Sequence, residues 1–202
     1  MPASNYFYDT FVVQKYSELT AVNAEPLGVD FPSYQYWLTH FVLNSTFRSN
    51  PTPDQRAVAF ALLRRAEGAV EEFDQACMAL ADFVSVQRTV SGYFRALRRF
   101  ESAVAQVHQA FQFMKQASGT PFFRTKDGSH YQRLNEVYNV GRHGNPTALP
   151  PGHVQLVWLE NDGIHVASGV LAFEELRDLV AELARAADYI ASGGPWTQPA
   201  PP

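Results

Sequence analysis

Two long apolar stripes lie end to end in the middle of the chain, and they are out of phase with each other. Phe60, Leu63, Ala66, Val70, Phe73, Cys77, Leu80 and Val84 form the first, and Val90, Tyr93, Leu97, Phe100, Val104, Val107, Phe111 and Met114 form the second. Both keep the 3-4 spacing that places apolar side chains on one face of an α-helix. A single straight helix through both would turn its apolar face away from its partner partway along. The break near Val84 to Thr89 therefore predicts a tight antiparallel helical hairpin, with a kinked continuous helix as the alternative. Each arm is about 45 Å long at ~1.5 Å per residue. Before the first arm, Thr52 can cap, Pro53 suits the first helical position, and Asp54 favours the positive end of the helix dipole. Gly119 and Pro121 are expected to end the second arm.

Shorter elements flank this pair. Ser33 can cap a helix over Tyr34 to Phe47, whose Trp37, Leu38, Phe41 and Val42 recur at helical spacing and are expected to face the core together. Upstream, the segment around Asp9 to Ser17 fits a short strand or a helical turn, and periodicity does not decide between them. After an Asp127-Gly128 turn, Ser129 can cap a third long helix from His130 to Arg142, with Tyr131, Leu134, Val137 and Tyr138 on its buried side. Gly144-Asn145-Pro146 stops it. Two β-rich runs around Asp162-Gly163 predict a hairpin over residues 154–171, because Asp-Gly tolerates the positive φ of a two-residue turn. Either Leu156 and Trp158 or Val157 and Leu159 then pack on the helices, since a lone hairpin is marginal in water. A last helix from Phe173 to Ala191 carries Leu176, Leu179, Val180, Leu183, Ala187 and Ile190 as its stripe. Ser192-Gly193-Gly194-Pro195 ends it, and the Pro-rich residues 194–202 are expected to be a disordered tail. The fold class expected is thus mainly α: one domain over 1–193, a helical bundle built on a long antiparallel hairpin with one C-terminal β-hairpin.

Composition narrows the function classes. With 46% hydrophobic and 18% charged residues among 202, the balance is globular. A formal charge of −4 argues against a generally basic nucleic-acid coat. Cys77 is the one cysteine, so no intrachain disulfide and no multi-cysteine zinc site can form; it lies on the first stripe and is expected to be buried and inert. The N-terminal residues lack a basic segment followed by an apolar one, and no run of about 18 apolar residues occurs, so a cytoplasmic protein without a membrane span is expected. His40, His108, His130, His153 and His165 show no spacing for a shared metal site, and no cofactor or metal is expected. The arginines of the long arms, Arg64, Arg65, Arg88, Arg95, Arg98 and Arg99, face several acids, as on a solvated helix surface with scattered ion pairs; a patch for a phosphate-bearing partner is the other reading.

One stretch gathers polar groups where helix gives way to hairpin: Tyr138-Asn139-Val140-Gly141-Arg142-His143. Asn139 and His143 are four apart and Arg142 lies three from Asn139, so all three share one side of a helix. There Arg142 could bind a phosphate, His143 could move a proton, and Asn139 could orient one of them. Arg142 and His143 equally suit the negative end of a helix dipole. The stretch resembles the Arg-polar-x-x-x-His motif of the HEPN helical-bundle superfamily. Asn139 matches the polar position and His143 the histidine, whereas Tyr138 stands where the motif has its arginine. The resemblance implies RNA as substrate or ligand, metal-independent ribonuclease chemistry of the kind found in toxin-antitoxin and defence systems, and a dimer. On this reading Asn139, Arg142 and His143 are the catalytic candidates, with Arg98 and Arg99 assisting in nucleic-acid binding. The sequence thus offers two functions. One is a non-catalytic protein-interaction or scaffold module, a homodimer or a partner of another protein. The other is a HEPN-like RNA-binding protein or degenerate ribonuclease.

Overall fold

The computed structural model describes residues 5–118, 126–145, 147 and 149–193. Helix α3, Pro53–Ser85, and helix α4, Val90–Ser118, form the expected antiparallel hairpin, joined by the short turn at Val86 to Thr89. The start of α3 is a capping box: Gln55 N donates to Thr52 Oγ1 at 3.3 Å while Thr52 N donates to Gln55 Oε1 at 2.9 Å. The stops expected at Gly119 and Pro121 lie outside the described residues. Between the arms the large buried side chains alternate with small ones. Phe73 meets Phe100 edge to face with ring centres 6.2 Å apart, and Ala96, Ala103 and Ala110 repeat every seven residues on α4, each fully buried. Alanines at that interval let two helix backbones approach closely along their whole contact.

The other helices pack around this pair. Helix α6, Phe173–Ala191, buries Leu176, Leu179, Val180, Leu183 and Ala187. Helix α5, His130–His143, begins at Ser129, whose Oγ accepts Gln132 N at 3.2 Å, as expected from sequence. It crosses α4 with Tyr131 edge-on to Phe111 and is tied to α6 through Tyr131 and Glu182 and through Arg133 and Glu175. Helix α2, Trp37–Asn44, follows a 3-10 turn at Tyr34–Tyr36 and runs on through a π turn at Ser45–Ser49. Its start departs from expectation. Ser33 makes no cap hydrogen bond and turns instead to Asp188, while Glu67 of α3 accepts Leu38 N at 3.1 Å and supplies the cap from a neighbouring helix. Trp37 and Phe41 are buried as expected, but Val42 is exposed. Phe60 of the first stripe is likewise exposed, its ring lying edge to face with Phe41 of α2 at 5.4 Å.

The expected hairpin is one half of a three-stranded antiparallel meander: β1 Val157–Leu159, β2 Gly163–Val166 and β3 Gly169–Ala172. Leu159 pairs with Ile164 and Gly163 with Ala172, so the two-residue turn is Asn161-Asp162, one position earlier than Asp-Gly would set it. Neither residue has positive φ. Gly163 is needed for a different reason: a Cβ there would come within 2.4 Å of the Leu171 carbonyl oxygen.

Val157, Trp158 and Leu159 are all buried, so both faces of β1 are covered. The second cover is the N-terminal segment that periodicity left undecided. It opens with α1, Asn5–Phe11, and then runs as an irregular strap to residue 33. Side chains hold it where a strand would use backbone. Gln14 Oε1 accepts the N–H groups of Val154 and Gln155, and its Nε2 donates to Gln155 O. Asn161 Oδ1 accepts Thr20 N and Ala21 N, each at 2.9 Å, and Arg88 donates to the Leu19 and Tyr16 carbonyls. Asp74 of α3 receives Leu27 N and Gly28 N. No helix among the described residues is long and apolar enough to cross a membrane. The expected disorder of 194–202 lies outside the described residues.

Candidate functional site

The last two turns of α5 place Asn139, Arg142 and His143 on the surface, all three exposed. Arg142 is already engaged: Nη1 donates to Tyr138 Oη at 2.7 Å, and the guanidinium lies 5.8 Å from the centre of that ring. Tyr138 in turn stacks on His108 of α4, ring centres 3.9 Å apart and planes 13° from parallel. His108 Nε2 lies 3.1 Å from Asn135 Oδ1, and its buried Nδ1 has no hydrogen-bond partner among the described residues. Burial, and after it the Arg142 charge, lower the His108 pKa, with the Asn135 bond acting the other way. The result is a layered group, Arg142 over Tyr138 over His108. The side chains of Asn139 and His143 stand beside it without a hydrogen bond among the described residues.

The arginines expected to assist behave differently from each other. Arg99 donates from Nη1 to both carboxylate oxygens of Glu72 at 2.9 Å, which ties the two arms of the hairpin. Arg98 folds back on its own helix, its Nε on the Phe94 carbonyl. Behind the last turn of α5 lies a carboxylate, Glu101: a Cβ at Gly141 would come within 3.4 Å of its Oε1. Burial pushes the Glu101 carboxyl up, and it accepts no hydrogen bond among the described residues. Beside it opens a cleft of about 230 Å³ between Val140, Gly144 and Asn145 on one wall and Leu156, Trp158 and Ala167 on the other, with no charged side chain in its lining.

A third grouping, at the tip of the meander, has the composition of a cation site. Ligand atoms of Glu160, Asp162 and His165 lie within 4.8 Å of one another. Those atoms already have partners: Lys15 Nζ sits 2.8 Å from Glu160 Oε2, Trp158 Nε1 donates to Glu160 Oε1 at 2.9 Å, and within the group His165 Nε2 lies 2.8 Å from Asp162 Oδ1. Burial works against the Glu160 carboxylate, yet the bonds from Lys15 and Trp158 outweigh it and its carboxyl lies below the usual range. The His165 bond holds the Asp162 carboxyl low as well. Lys15 belongs to the strap, so this grouping fastens the strap to the meander.

The outer face of α2 differs from all of these. Tyr36, His40, Leu43 and Phe47 follow at spacings of four, three and four, and all are exposed, Leu43 at 53% and Phe47 at 79%. The Tyr36 and His40 rings stack 6.2 Å apart. Thus α2 with its flanking turns carries two stripes, an inner one of Trp37 and Phe41 and an outer one that nothing among the described residues covers, with Tyr36 in the 3-10 turn before α2 and Phe47 in the π turn after it. From Phe31 to Phe47 the chain holds no Asp, Glu, Lys or Arg; Asp30 and Arg48 bound that stretch. A surface helix normally presents charge to water, and this exposed stripe carries none of its own. Sequence reading saw one amphipathic face where there are two, although the absence of charge was visible. Comparison with protein families, curated proteins and solved structures gives no match.

Proposed function

We propose that this chain is a non-catalytic protein-interaction module of the cytoplasm that docks another protein helix on the outer face of α2. The observation that carries the reading is the charge-free stripe Tyr36, His40, Leu43, Phe47, whose 3-4 spacing matches the seam along which two helices pack. Covering Leu43 and Phe47 is worth about 1.5–3 kcal/mol for each side chain fully buried. The bundle beneath serves as the rigid support, with Trp37 donating to Asp188 and Glu67 capping α2 to fix that face in place. The test is photo-crosslinking in cells with Phe47→benzoylphenylalanine. A protein adduct at position 47, lost when Leu43→Asp is added, supports the reading; absence of any protein adduct sinks it.

A second reading is favoured by the exposure of Asn139, Arg142 and His143 together at the end of α5. It is RNA binding of the HEPN-like kind, with degenerate ribonuclease activity at most. It expects RNA binding that disappears in the combined Arg142→Ala and His143→Ala variant, and wild-type protein that fails to bind RNA refutes it.

A further inference from the structure

We propose that the occupant of the outer face of α2 is a second copy of this chain, with α2 packed antiparallel on α2 about a two-fold axis. This rests on the interaction reading above and gives it a partner. The spacing of the stripe supports it first. Residues 36, 40, 43 and 47 are separated by four, three and four, a sequence that reads the same in both directions about a point midway between His40 and Leu43. An antiparallel copy therefore sets Tyr36 opposite Phe47 of the second copy, and His40 opposite its Leu43. Each large aromatic meets an aromatic at the ends, and the smaller pair meets at the centre. A two-fold interface needs such a self-complementary patch.

Charge supports it second. No formal charge lies between Phe31 and Phe47, so the face does not repel its own copy. The charges that bound the stretch are of opposite sign, Asp30 before it and Arg48 after it. Antiparallel packing brings Arg48 of one copy toward the Asp30 end of the other, whereas parallel packing would oppose Arg48 to Arg48. Asp30 is half exposed while paired with Arg177 at 2.8 Å, and so keeps room for a second cation.

The test has two parts. Sedimentation equilibrium of the purified full chain should show a dimer whose dissociation constant rises roughly 10- to 100-fold in Phe47→Asp. Because Phe47 is exposed, the variant should keep the wild-type circular dichroism and melting curve. For the register, a variant carrying both Tyr36→Cys and Phe47→Cys should oxidise to a covalent dimer, while each single variant should not, since like positions stand about 16 Å apart along an antiparallel pair. Wild-type protein that is monomeric at every accessible concentration overturns the second copy, as does a dimer indifferent to Phe47→Asp. Single variants that cross-link as readily as the double overturn the antiparallel register. A photo-adduct at position 47 to a different protein overturns the second copy while leaving the interaction reading standing. An adduct only to residues 194–202 of the same chain, or no adduct at all, overturns both.

Discussion

Two buried tyrosine hydroxyls, on neighbouring rings, should respond in opposite directions to the same chemical change. Tyr93 is fully buried, and its oxygen accepts Leu159 N at 2.8 Å, the backbone donor on the open edge of β1. Leu159 is itself fully buried, so no water can replace the lost acceptor. Tyr93→Phe keeps the ring and its packing against Phe83 at 5.7 Å and Tyr16 at 5.6 Å, and removes one oxygen atom. The volume change is small, so the cost is that of leaving a buried N–H unpaired, about 1–3 kcal/mol. For a chain of this size each kcal/mol lowers the melting temperature by ~2–4 °C, so a drop of roughly 2–12 °C is expected. Tyr16 lies beside it, 4% exposed, and its hydroxyl has no partner among the described residues. Tyr16→Phe removes a desolvated group without a hydrogen bond among the described residues and should be neutral or stabilising by up to about 1 kcal/mol. Urea unfolding of the wild type and the two variants, with hydrogen exchange at Leu159, measures both. Equal losses in the two variants, or a Leu159 amide still protected in Tyr93→Phe, would show that ring packing and not the edge hydrogen bond decides.

Other perturbations follow from individual sites. Glu101→Gln should stabilise at neutral pH. Burial raises the folded-state pKa of Glu101, so the native state binds its proton more tightly than the unfolded chain, and stability is lost as pH rises from the unfolded value of about 4.3 through the folded one. Urea midpoints should therefore favour the glutamine variant at pH 7 and converge with wild type below that window; a less stable variant at pH 7 contradicts the assignment. Gly144→Ala should cost about 1–3 kcal/mol, because its Cβ would come within 2.4 Å of Val140 O and 2.7 Å of Leu156 Cδ1, and a thermal melt equal to wild type would mean those neighbours yield freely. In Asn161→Ala the amides of Thr20 and Ala21 lose their acceptor and should exchange faster, while global stability falls by less than about 2 kcal/mol, since the site is exposed to water. Exchange at those amides unchanged from wild type would mean the strap is held by its other bonds alone.

What the sequence specified locally, it specified well. The arms of α3 and α4, the Thr52 and Ser129 caps and the extent of α6 depend on residues within a turn or two of one another, and these are legible from spacing and capping chemistry. The strap was not legible, because its order comes from side chains meeting backbone across long gaps. Gln14 reaches Gln155 over 141 residues, and Arg88 reaches Leu19 over 69. No periodicity records such bonds. The Glu67 cap on α2, from 29 residues away, escaped for the same reason, and a serine in the expected position misdirected the reading. The turn shifted by one residue because the strap clamps Asn161, so tertiary contacts and not local turn preference set its position.

At the end of α5 the positions were legible and the chemistry was not. Residues 138 and 142 are four apart and share a face, and the phosphate-binding role read for Arg142 took its guanidinium as unengaged. The same proximity has another outcome: Arg142 bonds to the Tyr138 hydroxyl, and the tyrosine rests on His108, a residue 30 positions upstream on another helix. That bond uses Nη1 alone, so the remaining donors of the exposed guanidinium are still able to meet a phosphate beside the Tyr138 ring. Scattered exposed apolar residues such as Val29, Met78 and Val86 occur singly on different elements, as on any protein surface. The aromatic cluster of α1, Tyr6, Phe7 and Phe11, lies on a helix of seven residues. Across the 3-10 turn, α2 and the π turn, the exposed residues Tyr36, His40, Leu43 and Phe47 repeat at helical spacing, on a segment fixed from beneath by Trp37 and Phe41 and bare of charge from Phe31 to Phe47. That combination of spacing, support from beneath and absent charge is why the proposed docking face is placed here and not at the scattered sites.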